Sequence, residues 1–162
     1  MSCHPFNMLA LLKRKVKTAS QQSILFYIWL FPAWCLLGMS RLIILTISFK
    51  RFARLLGVRD GTAPRMPIIT KSQERRAQVI RNVISVAARY SPWTSNCFPQ
   101  AITARIILGC HNIPYALFFG LRRDAESDAL KAHAWVVSGR LSITGGRSFE
   151  NFTSVGCFVS YQ

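Results

Sequence analysis

Ser95-Asn96-Cys97-Phe98-Pro99-Gln100 is the stretch on which the reading of the chain turns. Proline has no N–H, and a helix tolerates it only near its start, where that donor has no partner anyway. Pro99 therefore places Cys97 at or just before the first turn of a helix. The residues that follow, among them Ala101, Ile102, Ala104, Ile106, Ile107 and Leu108, are apolar nearly all round. Such a helix is expected to be central and buried, with Gly109 ending it and Asn112-Ile113-Pro114 turning the chain.

Downstream the pattern becomes β. Tyr115 to Leu121 reads as a strand, Arg122 to Lys131 as a polar loop, and His133 to Val137 as a second strand. Ser138-Gly139 is a tight hairpin turn, Arg140 to Thr144 a third strand, and Gly145-Gly146 another turn. Val155 to Ser160 makes a fourth strand. Upstream, Ser72 to Tyr90 is helical, with Val79, Ile80, Val83, Ile84, Ala87 and Ala88 at helical spacing and Arg75, Arg76, Arg81 and Arg89 facing away. Thr70 and Gln73 are placed for a capping box, and Pro92 stops the helix. The expected fold is α+β, an antiparallel sheet packed on the cysteine helix.

Residues 59–71 hold Gly61, Pro64 and Pro67 and read as a linker. The expected organisation is an N-terminal apolar and basic helical region over residues 1–66 and a second domain over 67–162. Before the linker, Phe49 to Val58 is amphipathic and expected to be helical, ending at Gly57. Ser23 to Ser40 carries no charge, and Leu42 to Phe49 is apolar again. A transmembrane helix would suit that length, but Pro32 and Arg41 weaken it. A secretory signal would start earlier and end in small residues. One or two helices packed on the domain, or lying on a membrane surface with basic ends near headgroups, is the third reading.

Lys and Arg number 21 against 6 Asp and Glu, a net charge of +15. That excess favours an anionic partner without choosing among nucleic acid, headgroups and acidic peptide. No nucleic-acid motif accompanies the scattered basic residues, so nucleic acid is not an expected partner. The cysteines Cys3, Cys35, Cys97, Cys110 and Cys157 are odd in number and contain no C-x-x-C pair. With His4, His111 and His133 they form no spaced ligand set, so neither metal nor cofactor is expected. The pattern suits a reducing compartment, and a cytoplasmic protein associated with a membrane through residues 23–49 is expected.

The chemistry to be weighed lies in two residues. A helix N-terminus carries a partial positive charge and spare N–H groups. It favours the thiolate of a cysteine placed there, and its N–H groups can hold an oxyanion. His133, in Ala132-His133-Ala134-Trp135, would supply from a separate strand the base that takes the thiol proton. Trp135 shares its strand face and can pack beside the ring. Buried structural cysteines are common; Cys35, Cys110 with its neighbour His111, and Cys157 are read that way.

The C-terminal half resembles the transglutaminase-like cysteine peptidases of lasso-peptide biosynthesis, the B (B2) leader-peptidase family. The resemblance is carried by FKRFARLLG (49–57), NCFPQAITARIILGCHNIPYALFFGLRRD (96–124), KAHAWVVSGRLSITGG (131–146) and ENF (150–152), in the family's order, over roughly residues 42–160. It implies a transglutaminase-like (papain-like) core with Cys97 as nucleophile and His133 as base. It implies a hydrolase of antibiotic (RiPP) maturation, which removes the leader from a lasso-peptide precursor. The implied partners are that precursor peptide, a separate leader-recognition protein, and an ATP-dependent asparagine-synthetase-like cyclase that closes the macrolactam.

One departure stands out. The family's triad ends in an Asp about a dozen residues past the histidine, and no carboxylate lies between Asp128 and Glu150 here. Ser142, Thr144, Glu150 or a backbone carbonyl is left to orient His133; loss of the carboxylate lowers rate without abolishing chemistry. The competing reading is non-enzymatic: a basic, membrane-associated scaffold or adaptor in a peptide-maturation complex.

Overall fold

A computed structural model describes residues 23–46, 58–59, 66–124, 129–146 and 148–160. Helix α1 (Ile24–Thr46) runs unbroken through Pro32. Strand β1 (Val58–Arg59) follows, then α2 (Lys71–Arg89) and α3 (Cys97–Cys110). The remaining chain is β2 (Tyr115–Arg123), β3 (Leu130–Ser138), β4 (Leu141–Thr144), a 3₁₀ turn (Ser148–Asn151) and β5 (Thr153–Ser160). The sheet order is β1-β5-β2-β3-β4, and every pairing is antiparallel. The architecture is thus the expected α+β, with an apolar helix ahead of it.

Each helix start has a local cause. Thr70 caps α2 with a complete capping box: its Oγ1 accepts from the Gln73 N–H, and the Gln73 carboxamide accepts from the Thr70 N–H at 2.9 Å. At α3, Pro99 is buried in the first turn, where its missing donor costs nothing.

The end of α3 differs from the expectation. Gly109 does not stop the helix, which continues to Cys110. Asn112 instead takes the left-handed conformation, with φ 50°. Its N–H donates to Gly109 O at 3.0 Å, and the Ile113 N–H donates to Leu108 O at 3.0 Å. This is the Schellman pattern, with asparagine where glycine is commoner. A second correction concerns Val58, expected to close a helix: Val58 and Arg59 pair with Val159 and Phe158 of β5. Residues 49–57, the rest of that expected helix, lie outside the described residues.

The alternation of side chains along the strands gives the sheet two apolar faces. Leu117, Phe119, Ala134, Val136, Ile143 and Phe158 join the three helices in the main core. Ala116, Phe118, Trp135, Val137, Cys157 and Val159 form a second cluster on the opposite face. Helix α1 belongs to the main core through Phe26, Ala33 and Leu37, so one apolar cluster joins it to α2 and α3.

Candidate active site

Cys97 is the first residue of α3 and is half-buried. The Asn96 side chain makes no capping hydrogen bond, so it does not compete for the donors at the helix mouth. The approach to the mouth is rigid. Ser91 Oγ donates to Ala88 O at 2.9 Å and meets Ser95 Oγ at 2.7 Å. Gln100 Nε2 then reaches back from the first turn of α3 to Ser95 O at 2.7 Å.

His133 lies on β3, on the face of Trp135, away from the helices. The register of β4 against β3 ends at Val136↔Thr144, so His133 stands past the end of β4. Its imidazole is held on two sides. Phe152 stacks on it at 4.9 Å between centroids, and Trp135 at 5.9 Å. The strand partner opposite His133 is Gly120. A β-carbon there would come within 2.7 Å of the Trp135 ring and 2.8 Å of Phe152 Cβ. Glycine is what lets the two aromatic rings close beside the imidazole.

The imidazole Nε2 lies 3.1 Å from Gly145 O. A carbonyl can only accept, so in this contact Nε2 is the donor. Gly145 has φ 90°, and a β-carbon on it would sit 2.4 Å from Trp135 Cβ. The acceptor is thus fixed by a turn that only glycine fills.

The three side chains considered as orienting groups are placed otherwise. Ser142 Oγ donates to backbone oxygens, Thr144 O at 3.4 Å and Gly146 O at 3.3 Å. Thr144 Oγ1 is buried with no hydrogen-bond partner. Glu150 is exposed in the 3₁₀ turn. The backbone acceptor left no mark in the sequence, since every residue has a carbonyl. Phe152 was visible only as the last letter of ENF.

Cys97 heads a helix on one side of the sheet and His133 lies on the other face, beside Trp135; Gly145 is the point where their surroundings meet. It lines a cleft of about 380 Å³ whose wall includes Ser95 and Gln100, on either side of Cys97. The mouth of α3 and the anchor of His133 therefore share one depression.

Of the other cysteines, Cys157 is buried in β5 and Cys35 partly buried in α1, whereas Cys110, expected to be a buried structural residue, is exposed at the end of α3. His111 packs edge-on against Trp29 at 5.3 Å, with its Nε2 buried and unpartnered. Burial, and then the nearby Arg76 guanidinium, lower its pKa, as expected for an imidazole packed neutral at a helix end. Among the described residues no group of His, Cys, Asp and Glu is placed to hold a metal ion.

A family model for the transglutaminase-like superfamily matches residues 39–157, well over half of the chain. The chain belongs to the transglutaminase-like superfamily. The match begins inside α1 and ends in β5, so it spans α2, the cysteine helix and the histidine strand. No curated protein and no solved structure matches significantly. A transglutaminase-like domain suggests thiol chemistry of the cysteine-peptidase type.

Proposed function

We propose that this protein is a cysteine peptidase that removes the leader from a lasso-peptide precursor, with Cys97 as nucleophile and His133 as base. The observation that carries the reading is the clamp on His133: Nε2–H on Gly145 O at 3.1 Å, with Gly145 in the wall of the cleft at the Cys97 helix mouth. In this reading the carbonyl takes the orienting place that a carboxylate holds in the family.

In the proposed reaction the thiol proton passes to the His133 imidazole, and the thiolate attacks the scissile carbonyl. The oxyanion is met by N–H groups at the α3 terminus. Collapse breaks the C–N bond, the imidazolium protonates the leaving amine, and a thioester remains on Cys97. The imidazole then takes a proton from water, whose attack frees the leader as a carboxylic acid and restores the thiol.

The amine released is the new N-terminus of the core peptide. A separate ATP-dependent, asparagine-synthetase-like cyclase would close it into the macrolactam, and a separate recognition protein would present the leader. The C97A variant is expected to lose cleavage of a cognate precursor, read by mass spectrometry, with an unchanged circular dichroism spectrum; cleavage retained by C97A would overturn the assignment.

We further infer that α1 rests on a membrane surface. It is long and apolar enough to cross a bilayer, but one side packs on α2 and α3. Helix α2 itself holds the exposed Arg75, Arg76, Arg81 and Arg89, which crossing would carry toward hydrocarbon. The opposite side of α1 presents Ile24, Tyr27, Ile28, Phe31, Leu42 and Leu45 to solvent. Lys13, Arg14, Lys15 and Lys17 precede the helix and Lys50, Arg51 and Arg54 follow it, the flanks suited to anionic headgroups.

A further inference from the structure

We propose that the cleft between α2, the α3 mouth and β4 binds acidic side chains of the peptide substrate. The proposal names the substrate chemistry of the peptidase site and rests on that reading. The cleft, about 380 Å³, is lined from α2 by Arg81, Ser85 and Arg89, and from β4 by Thr144. No Asp or Glu is among its lining residues.

Arg81, Ser85 and Arg89 recur every four residues and so form one stripe of the helix. At about 1.5 Å per residue the two guanidinium-bearing positions stand about 12 Å apart along the axis. An extended peptide rises about 3.3 Å per residue, so the stripe spans about four residues of substrate. Each guanidinium can take a carboxylate with two parallel hydrogen bonds.

Thr144 adds a second polar feature to the lining. It is 4% exposed, and its Oγ1 has no hydrogen-bond partner. A buried hydroxyl left unpaired costs stability. A carboxylate or peptide carbonyl brought in by a ligand would satisfy it. Ser85 lies between the two arginines on the helix, which favours a peptide with separated acids over a chain carrying a phosphate at every residue. Ser95 and Gln100, two and three residues from Cys97 in sequence, also line the cleft.

The test is binding to the full-length C97A protein, which needs no turnover. Fluorescein-labelled hexaglutamate, hexaglutamine and hexathymidylate are titrated by fluorescence anisotropy at fixed ionic strength. The R81Q/R89Q change is compared with R75Q/R76Q, which removes the same charge from the same helix outside the cleft.

We expect R81Q/R89Q to weaken hexaglutamate binding roughly tenfold or more, R75Q/R76Q to weaken it less than about threefold, and hexaglutamine to be indifferent to both. Thr144→Val should add a further loss on hexaglutamate. Equal losses from the two double variants would reduce the effect to net charge and overturn the proposal. So would hexathymidylate binding more tightly with the same selective loss, which would assign the cleft to nucleic acid. Cleavage retained by C97A, with selective hexaglutamate binding intact, would remove the peptidase reading and leave the site standing.

Discussion

At the scale of single residues, the site turns on the backbone at Gly145. With φ 90° and no room for a β-carbon beside Trp135, Gly145→Ala is expected to cost about 1–3 kcal/mol from strain and overlap. It should also lower kcat by roughly tenfold or more, as the carbonyl leaves His133 and general-base catalysis weakens. Gly146 is the control: its φ is also positive, at 61°, but a β-carbon there meets nothing within 4 Å. Gly146→Ala should show the milder stability loss and nearly unchanged kcat. Equal kcat for the two variants would mean that Gly145 O does not position the base. A peptide carbonyl does not titrate, so this anchor survives at acid pH, where a carboxylate partner would be protonated. In exchange, it brings no full negative charge to steady the imidazolium. Cys97 and His133 could be picked from the sequence because thiols and imidazoles are rare and their flanks informative. Gly145 could not, because its contribution is an atom common to all residues.

At the scale of elements, local rules carried the reading where local interactions decide the structure. The Thr70–Gln73 box, the Pro99 start of α3 and the turns at Gly139 and Gly145-Gly146 depend on neighbours in sequence. The misreadings were tertiary. β1 exists because β5, a hundred residues on, offers it an edge. The end of α3 is further secured by Gln73 of α2, whose side chain donates to Asn112 O at 3.0 Å. That α1 packs on the domain was among the readings of the sequence, but its contact with Trp93 is tertiary. Gly38 of α1 faces Trp93, where a β-carbon would come within 2.9 Å of the indole, and Trp34 lies 4.4 Å from the same ring. Helix α1 thereby braces the turn that leads to Cys97. Gly38→Val should destabilise the fold by about 1–3 kcal/mol through overpacking, read by urea denaturation. An unchanged midpoint would show that α1 does not brace the turn.

At the scale of the whole molecule, the +15 charge and the exposed apolar side of α1 act together. The full chain should co-sediment with vesicles containing about a third anionic lipid and be released by salt, since each basic residue near such a surface contributes about 1 kcal/mol. Replacing Tyr27, Ile28 and Phe31 by Ser should reduce binding strongly and leave hexaglutamate affinity intact. Unchanged sedimentation would remove the membrane reading. The sequence showed the apolar stretch but not which side of it is buried, because Ser23–Ser40 is apolar all round and periodicity then has nothing to report.

Helix α2 has one further consequence. On one side it supplies Arg81, Ser85 and Arg89 to the polar cleft; on the other, Val86, Ala87 and Tyr90 join Tyr27, Phe31 and Trp34 around an apolar groove. The two grooves stand back to back across a single partition, and a helix with its side chains is about 10 Å thick. With the apolar side resting on lipid, that partition becomes a spacer. It would hold the polar cleft about one helix width above the headgroups, clear of hydrocarbon.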